Sequence, residues 1–188
     1  MKSIVILGST GSIGENALRI VEALPHEFHV VGLATRTKIT RLIEQALQFN
    51  VRVVAVEDEA FAREAETLAR PHGIRVLAGP QGLETLAAWP ETDCVVCSVV
   101  GLAALKHVLS AMEAGHDVAL ATKEVLVSAG DLVMRKRAEN RVRILPIDSE
   151  HSALFQCLQS MTRNVACVRL EGDGQAPAEE QIQKLVLI

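Results

Sequence analysis

Short apolar runs alternate with amphipathic stretches along most of the 188-residue chain. Short apolar runs bounded by turn residues are typical of buried strands, whereas apolar positions spaced three and four residues apart indicate helices. The predicted strands are Lys2–Leu7, Phe28–Ala34, Val51–Val56, Ile74–Leu77, Cys94–Val100, Val118–Leu120 and Val142–Pro146. The predicted helices are Ser12–Leu24, Ile39–Phe49, Glu59–Ala69, Leu83–Trp89, Ala103–Ala114, Val125–Asn140 and Ser149–Met161.

This alternation predicts an α/β fold, a Rossmann-like doubly wound and mainly parallel sheet with helices on both faces. Continuous apolar strands fit, because a parallel strand is covered on both sides. We assign residues 1–147 to this domain and residues 148–188 to the start of a second one. The segment Glu171–Glu180 is rich in turn residues and is predicted to be a loop, and Ile182–Ile188 is predicted to be a strand. Because the sequence ends inside that strand, we expect the second domain to be incomplete.

Composition narrows the class of protein further. The chain is 49% hydrophobic and 22% charged, with a net charge of −4, which supports a packed core. It has no long basic run, so we expect no nucleic-acid partner. No apolar stretch reaches the roughly 20 residues that span a bilayer, and Lys2–Leu7 lacks the features of a signal peptide. We therefore expect no membrane association and a reducing, cytoplasmic setting.

Cys94 and Cys97 form a CxxC pair, a spacing that is found in zinc and redox sites. They lie within the apolar strand Cys94–Val100, and no second CxxC or CxxH pair stands near them to complete a tetrahedral zinc site. We therefore interpret both residues as buried structural cysteines.

The strongest local motif is a glycine-rich turn, GSTGSIG, at residues 8–14, between the first predicted strand and the first predicted helix. In this relative of the dinucleotide-binding turn, Gly8 permits a tight turn, Gly11 lets backbone approach a pyrophosphate and Gly14 lets the helix pack on the strand. The N–H groups of Ser12 and Ile13 and the positive end of the helix then face the phosphates. Further hydroxyl donors are Ser9, Thr10 and Ser12. A tight turn without a ligand is the weaker alternative.

The residues after the second predicted strand decide between NAD and NADP. Proteins that bind NAD usually carry Asp or Glu there, which holds the ribose 2′-hydroxyl. The segment Leu33–Lys38 has no carboxylate and offers Arg36 and Lys38, whose guanidinium and ammonium groups suit a 2′-phosphate. We infer that the cofactor is NADPH; the alternative is that both side chains are solvated loop charges.

Two more segments follow predicted strands, at the edge where parallel sheets bind ligands. Gly101, at the end of the fifth strand, lets backbone approach a flat ring. Lys123 and Glu124, after the sixth strand, can bind an anionic substrate or orient a cofactor. Taken alone, this pair is more typical of an ordinary helix start.

A third segment, PIDSEHS at residues 146–152, follows the seventh predicted strand and opens a helix. Asp148 and Glu150 are two residues apart in a non-helical turn, so both can reach one cation, and hard oxygen ligands suit magnesium or manganese. The alternative is a helix cap, in which Asp148 or Ser149 caps the helix and Glu150 lies near its positive end. On local grounds the two interpretations are equal, and His151 is more typical of a surface residue.

Together these motifs resemble one family. GSTGSIG (residues 8–14), VVG (99–101), TKE (122–124) and PIDSEHSALFQ (146–156) are similar, in order and separation, to those of 1-deoxy-D-xylulose 5-phosphate reductoisomerase. The resemblance covers essentially the whole chain. It implies conversion of 1-deoxy-D-xylulose 5-phosphate to 2-C-methyl-D-erythritol 4-phosphate, in which the skeleton is rearranged and NADPH then reduces an aldehyde intermediate. It also implies a bacterial cytoplasmic enzyme of the non-mevalonate isoprenoid pathway, a homodimer at full length, whose α+β catalytic domain begins at residue 148.

The resemblance further implies roles for individual residues. NADPH contacts are implied for Gly8, Thr10, Gly11, Ser12, Ile13, Gly14, Thr122 and Glu124. The 2′-phosphate end of the cofactor is implied to lie near Arg36, Thr37 and Lys38. A divalent metal (magnesium, manganese or cobalt) that chelates the substrate's oxygens is implied for Asp148 and Glu150. The phosphorylated sugar substrate is implied to contact Lys123, Ser149 and Glu150, of which Lys123 and Glu150 are the candidate catalytic residues.

The sequence departs from the family's pattern in two places. Thr122 stands where the family usually has Asn, and threonine keeps a hydroxyl but lacks the amide's donor–acceptor pair. The family's glycine-rich catalytic loop, third metal carboxylate, phosphate-binding residues and C-terminal helical domain are missing from these 188 residues. Without the groups that orient the substrate and exclude water, we expect no useful turnover from this sequence alone.

Two other interpretations remain open. One is a standalone NADPH-binding or sensing module without catalysis, which the missing catalytic segments would fit. The other is a different two-domain dehydrogenase, such as a semialdehyde dehydrogenase, which needs a nucleophilic cysteine; Cys157 is the only loose candidate, and PIDSEHSALFQ has no role in that chemistry.

Overall fold

The computed structural model describes the backbone of residues 1–161 and the side chains of residues 1–157. Strands and α-helices alternate along these residues. The strands are β1 (Lys2–Leu7), β2 (Phe28–Thr35), β3 (Val53–Val56), β4 (Arg75–Ala78), β5 (Cys94–Cys97), β6 (Asp117–Leu120) and β7 (Ile144–Pro146). The α-helices are α1 (Ser12–Ala23), α2 (Ile39–Gln48), α3 (Ala62–Ala69), α4 (Gly79–Ala87), α5 (Ala104–Glu113), α6 (Glu124–Asn140) and α7 (Ser149–Met161).

Each predicted strand and helix of residues 1–161 forms, with shifts at the ends. β5 ends at Cys97 instead of Val100, and α4 begins at Gly79, ahead of the predicted start at Leu83. The predicted helix Glu59–Ala69 divides into a 3-10 turn followed by α3. The predicted loop and strand of the C-terminal segment, Glu171–Glu180 and Ile182–Ile188, lie outside the described residues.

The seven strands form one sheet in the order β4-β3-β2-β1-β5-β6-β7, and every neighbouring pair is parallel. The chain winds outward from β1 to β4 and then crosses to β5, on the other side of β1. The strand order therefore reverses between β1 and β5, the position at which doubly wound sheets open a crevice for a ligand. The predicted doubly wound fold is confirmed.

One hydrophobic cluster covers each face of the sheet. Successive side chains of β1 point to opposite faces, as the pleat of a strand requires. Ile4 and Ile6 pack into the cluster formed with α1, α2 and α3, whereas Val5 and Leu7 pack into the cluster formed with α4, α5 and α6. Burial on both sides explains why these strands are continuously apolar. Each fully buried Val, Leu or Ile side chain stabilises the fold by about 1.5–3 kcal/mol.

The CxxC pair belongs to this core. Cys94 packs in the first cluster and Cys97 in the second, so the two thiols point to opposite faces of the sheet. Burial raises the pKa of both thiols to about 11. Because the two thiols lie on opposite faces of the sheet and are protonated at neutral pH, they cannot act as a redox or zinc-binding pair. Their role is structural, as the sequence predicted.

At the amino edge of the sheet, Asp117 and Arg143 join β6 to the segment that enters β7. Asp117 Oδ1 accepts from the Arg143 backbone N–H at 2.8 Å and Oδ2 accepts from Arg143 Nε at 2.9 Å. Burial acts to raise the pKa of Asp117, but the hydrogen bonds from Arg143 outweigh it and the pKa is lowered.

No helix of residues 1–161 combines the length and apolar character that crossing a membrane requires.

Candidate functional site

The glycine-rich turn joins β1 to α1 at the carboxyl edge of the sheet. The N–H groups of Gly8 and Ser9 both donate to the carbonyl oxygen of Ala34 in β2, at 3.0 and 2.8 Å. The hydroxyl of Ser98, which follows β5, donates to the carbonyl oxygens of Leu7 and Gly8, at 2.7 and 3.2 Å. The turn is therefore fixed from both neighbouring strands. The role of Ser98 is not visible in the sequence, because its partners are 90 and 91 residues away.

Two of the three glycines are required by the packing of the turn. Gly8 has a φ of +83°, which L side chains rarely adopt. A Cβ on Gly14 would lie 2.3 Å from the carbonyl oxygen of Gly8 and 2.5 Å from the Cα of Ser9, closer than nonbonded atoms approach. At Gly11 the nearest atom would be 3.4 Å away, an ordinary contact. The protein's own packing explains Gly8 and Gly14, but it does not explain Gly11.

The first turn of α1 presents free backbone donors beside Gly11. Gly11 is the N-cap residue, and no side chain forms a hydrogen bond that caps the helix. The first N–H groups of a helix have no intrahelical acceptor and carry partial positive charge. Ser12 and Ile13 are exposed, so an anion can approach these groups from solvent. This arrangement suits a phosphate.

The hydroxyls of Ser9 and Thr10 are directed into the protein. Ser9 Oγ donates to Gln45 Oε1 at 2.8 Å, and Gln45 Nε2 donates back to the Ser9 carbonyl oxygen at 3.1 Å. Thr10 Oγ1 lies 2.6 Å from Thr35 Oγ1. These hydroxyls stabilise the turn, and the outward donors are the backbone N–H groups and the exposed Ser12. Gln45 and Thr35 were not foreseen as supports, although a buried glutamine on the apolar face of α2 was a visible signal.

The cationic loop between β2 and α2 lies beside the same turn. Arg36, Thr37 and Lys38 are all exposed, and Lys38 Nζ donates to the carbonyl oxygen of Thr10 at 3.3 Å. The first turn of α2 contains no acidic residue. The neighbouring carboxylate of Asp58 accepts from the N–H of Ala60 at 3.1 Å, in its own 3-10 turn. The loop therefore adds two cationic side chains to the edge where the helix presents its donors.

The ends of β5 and β6 are joined by Thr122. Its hydroxyl donates a short hydrogen bond to the carbonyl oxygen of Val99, and Thr122 is buried. Val100, which follows Val99, is 89% exposed, and a Cβ on Gly101 would meet open space. Thr122 thus holds a loop that presents an exposed apolar residue at the crevice.

An acidic cluster follows β7. Asp148 Oδ1 accepts from the backbone N–H of His151 at 3.0 Å and lies 2.8 Å from His151 Nδ1. Glu150 Oε1 pairs with Lys123 Nζ at 3.1 Å, and Glu150 Oε2 accepts from Ser149 Oγ at 2.9 Å. The structure therefore brings Lys123, Ser149 and Glu150 into contact, with Asp148 next to them. The backbone bond to His151 is the helix cap that sequence analysis weighed against a metal site.

Local hydrogen bonds keep Glu150 and Lys123 charged. The pKa of Glu150 falls to about 2, first because its own backbone N–H donates to the carboxylate, and then because of Ser149 and Lys123. The pKa of Lys123 is raised, mainly by the hydrogen bond from its ammonium group to Glu150. A pair of carboxylates is a suitable donor set for a hard divalent cation. Among residues 1–157, no group of three or more histidine, cysteine or acidic side chains is arranged to hold a metal ion.

A cleft of about 320 Å³ opens beside the cluster, between α6, β7 and α7. Its polar lining residues are Lys123, Arg137, Arg143, Asp148 and His151, and the remaining lining residues, such as Leu126 and Leu154, are apolar. The glycine-rich turn follows β1 and the acidic cluster follows β7, three strand spacings away in the sheet. Three spacings are roughly 14 Å. The two groups of candidate residues share one edge without touching.

Comparison with known proteins identifies relatives of this chain. The sequence profile of 1-deoxy-D-xylulose 5-phosphate reductoisomerase matches residues 4–130. The protein of that name from Moorella thermoacetica is 45% identical over 173 residues, which cover 92% of this chain and 45% of the relative. The one from Microcystis aeruginosa is 41% identical over 188 residues, covering 98% of this chain and 48% of the relative.

Solved structures give the same result. The reductoisomerase from Zymomonas mobilis in complex with NADPH superposes with a TM-score of 0.79 at 32% identity, covering 83% of this chain and 41% of that one. A reductoisomerase structure in complex with NADPH, fosmidomycin and magnesium has a TM-score of 0.79 at 35% identity, covering 84% and 39%. The chain spans less than half the length of these relatives. From the profile match and these similarities, we conclude that the chain belongs to the 1-deoxy-D-xylulose 5-phosphate reductoisomerase family.

Proposed function

We propose that this protein takes part in the NADPH-dependent conversion of 1-deoxy-D-xylulose 5-phosphate to 2-C-methyl-D-erythritol 4-phosphate, in the bacterial cytoplasm. The observation that carries the proposal is the presence of two sites at one sheet edge. A turn with free backbone donors follows β1, and a cluster of two carboxylates and a lysine with an adjoining cleft follows β7. A hydride donor and a chelated phosphorylated sugar need these two kinds of site within reach of one another.

The glycine-rich turn fits NADPH. Gly8, Gly11 and Gly14 would shape the surface under the pyrophosphate, and the N–H groups of Ser12 and Ile13 would donate to it. The other proposed contacts along the cofactor are Thr10, Arg36, Thr37, Lys38, Thr122 and Glu124. Two observations support this proposal: the packing of the protein does not itself require a glycine at Gly11, and the cationic loop lies beside the turn. Bound NADPH supplies the hydride that reduces the rearranged substrate.

The acidic cluster fits a divalent metal in part. Asp148 and Glu150 would hold magnesium, manganese or cobalt, which supplies chelation of the substrate's oxygens when it is bound. Lys123, Ser149 and Glu150 would contact the anionic sugar phosphate, with Lys123 and Glu150 as the catalytic residues.

We place the boundary between the NADPH-binding domain (1–147) and the start of the α+β catalytic domain (148–188) at this cluster. For the complete enzyme we propose a homodimer.

A chimeric enzyme tests this proposal. Residues 1–188 replace the matching part of the Moorella thermoacetica reductoisomerase, which is 45% identical to this chain over 173 residues. The chimera is expected to oxidise NADPH only when both 1-deoxy-D-xylulose 5-phosphate and Mg²⁺ are present. A matched chimera with Asp148→Asn and Glu150→Gln is expected to bind NADPH equally well and to show no turnover, since only the metal ligands have changed.

Binding and turnover together separate the alternatives. A folded chimera that binds NADPH but never oxidises it would contradict the reductoisomerase proposal and favour an NADPH-binding module without catalysis. A chimera that oxidises NADPH equally well with both carboxylates replaced would contradict the metal site. Circular dichroism of both chimeras confirms that they are folded before either conclusion is drawn.

A further inference from the structure

Lys123 and Glu150 come from different elements and still form an ion pair. Lys123 is the residue before α6, and Glu150 lies in the first turn of α7. Lys123 Nζ is 3.1 Å from Glu150 Oε1, across 27 residues of sequence. The other oxygen, Oε2, accepts from Ser149 Oγ, so both oxygens of Glu150 are occupied by the chain's own donors.

One oxygen of the neighbouring Asp148 carboxylate also has partners within the chain. Asp148 Oδ1 accepts from the backbone N–H of His151 and lies 2.8 Å from its ring nitrogen. Two carboxylates two residues apart repel one another, and a nearby positive charge offsets that repulsion. In this structure the ammonium group of Lys123 supplies the charge.

The ion pair is placed to open easily. The side chain of Lys123 is 45% exposed and that of Glu150 is 52% exposed. Solvent-exposed pairs are held weakly, because water screens them and ordering two long side chains is unfavourable. A divalent cation on the same oxygen carries twice the charge of an ammonium group and needs no flexible side chain to be ordered.

We propose that Lys123 is a stand-in cation for the metal: its ammonium group holds Glu150 until a divalent ion binds, and is then released to meet the anionic substrate. This inference rests on the proposed function and extends it, because it couples the metal site to the substrate site through one lysine. Binding linkage is reciprocal, so an anion that engages the released ammonium group also strengthens metal binding.

The ammonium group itself reports the exchange. In ¹⁵N-labelled protein, the Nζ signal of Lys123 is assigned by its loss in the Lys123→Arg variant. Adding Mg²⁺ to wild-type protein is expected to move this signal toward its position in the Glu150→Gln variant, in which the charged partner is gone. Mg²⁺ added to Glu150→Gln itself is expected to leave the signal where it is.

Metal affinity gives a second, independent readout. Lys123→Gln removes the competing cation and is expected to tighten Mn²⁺ binding roughly fivefold, the upper range for an exposed ion pair. Lys123→Arg keeps the charge and is expected to bind Mn²⁺ like the wild type. Lys136→Gln is the matched control, because Lys136 is also ion-paired but lies near the far end of α6, with Glu113 and Glu139.

The outcomes separate this inference from the proposed function. If Mg²⁺ shifts the backbone signals of Asp148 and Ser149 but leaves the Lys123 ammonium signal unmoved, the metal site stands and the stand-in role is refuted. Unchanged or weaker Mn²⁺ affinity in Lys123→Gln refutes it as well. If neither metal produces any change, the metal site of the proposed function is refuted and the stand-in role with it.

Discussion

Replacing Gly14 with alanine isolates the packing requirement of the glycine-rich turn. The new Cβ would lie 2.3 Å from the carbonyl oxygen of Gly8, 2.5 Å from the Cα of Ser9 and 2.8 Å from its carbonyl carbon. All three are backbone atoms of a turn that is fixed by hydrogen bonds to Ala34 and Ser98, so no flexible side chain can yield. Alanine in a helix normally gains up to about 1 kcal/mol over glycine. Overpacking costs about 1–3 kcal/mol, and a clash with fixed backbone belongs to the upper part of that range, so we expect a net loss of about 1–2 kcal/mol in the free energy of unfolding.

Gly11→Ala is the matched control, because its Cβ would meet only one atom, at 3.4 Å. Its stability is expected to change by less than about 1 kcal/mol, the usual range for an N-cap position. Its NADPH affinity is expected to fall at least about tenfold, since the methyl group would stand where the pyrophosphate approaches. Urea unfolding measures the first quantity and calorimetry the second. A Gly14→Ala protein as stable as wild type, or a Gly11→Ala protein with unchanged NADPH affinity, would refute this division of roles.

Three further predictions follow from the loops and edges of the sheet. Replacing both Arg36 and Lys38 with alanine is expected to weaken NADPH binding at least about tenfold and to leave NADH binding unchanged, because each charge-assisted hydrogen bond contributes about 1.5–3 kcal/mol; equal losses for both nucleotides in calorimetry would contradict the 2′-phosphate role. Thr122→Val removes the hydrogen bond to the half-buried Val99 carbonyl oxygen and is expected to cost about 0.5–1.5 kcal/mol in urea unfolding, whereas Thr122→Ser stays near wild type; equal stability of both variants would count against the loop-holding hydrogen bond. The pKa of Asp117 is lowered in the folded state. The ionised carboxylate therefore stabilises the fold at pH values above the ordinary pKa of 3.8, and this stabilisation is lost as the pH falls through the folded pKa. Asp117→Asn is therefore expected to lower stability at neutral pH and to differ progressively less from wild type in acid unfolding; a constant difference at all pH values would contradict this.

The fold was predictable because each of its determinants is local in sequence. Apolar runs on β1 and β5, and the glycine spacing between β1 and α1, specify a parallel sheet with a phosphate-binding turn. The errors concern element ends. β5 ends at Cys97, which pairs with Leu120 in β6. Because β6 also ends there, Val99 and Val100 have no strand residue to pair with in β6. The early start of α4 had a signal that was missed, the proline in its first turn.

The supports of the site were not predictable, because they depend on contacts between distant segments. The partner of Ser9 is Gln45, 36 residues away, and the partner of Gly8 is Ser98, 90 residues away. A spacing rule gives Asp148 and Glu150 as neighbours, but it cannot place Lys123 against one of them. The residues that carry chemistry stand in short motifs, whereas the residues that orient them are specified only by the folded sheet.

A calorimetric titration of the purified chain with NADPH and, separately, with NADH measures directly whether the glycine-rich turn and the cationic loop hold the cofactor. NADPH is expected to bind at least about tenfold tighter than NADH, because the 2′-phosphate adds charge-assisted hydrogen bonds to Arg36 and Lys38. Equal affinity for the two nucleotides would contradict the assignment of the cationic loop. Binding of neither nucleotide would contradict the proposal that the turn at residues 8–14 holds a dinucleotide.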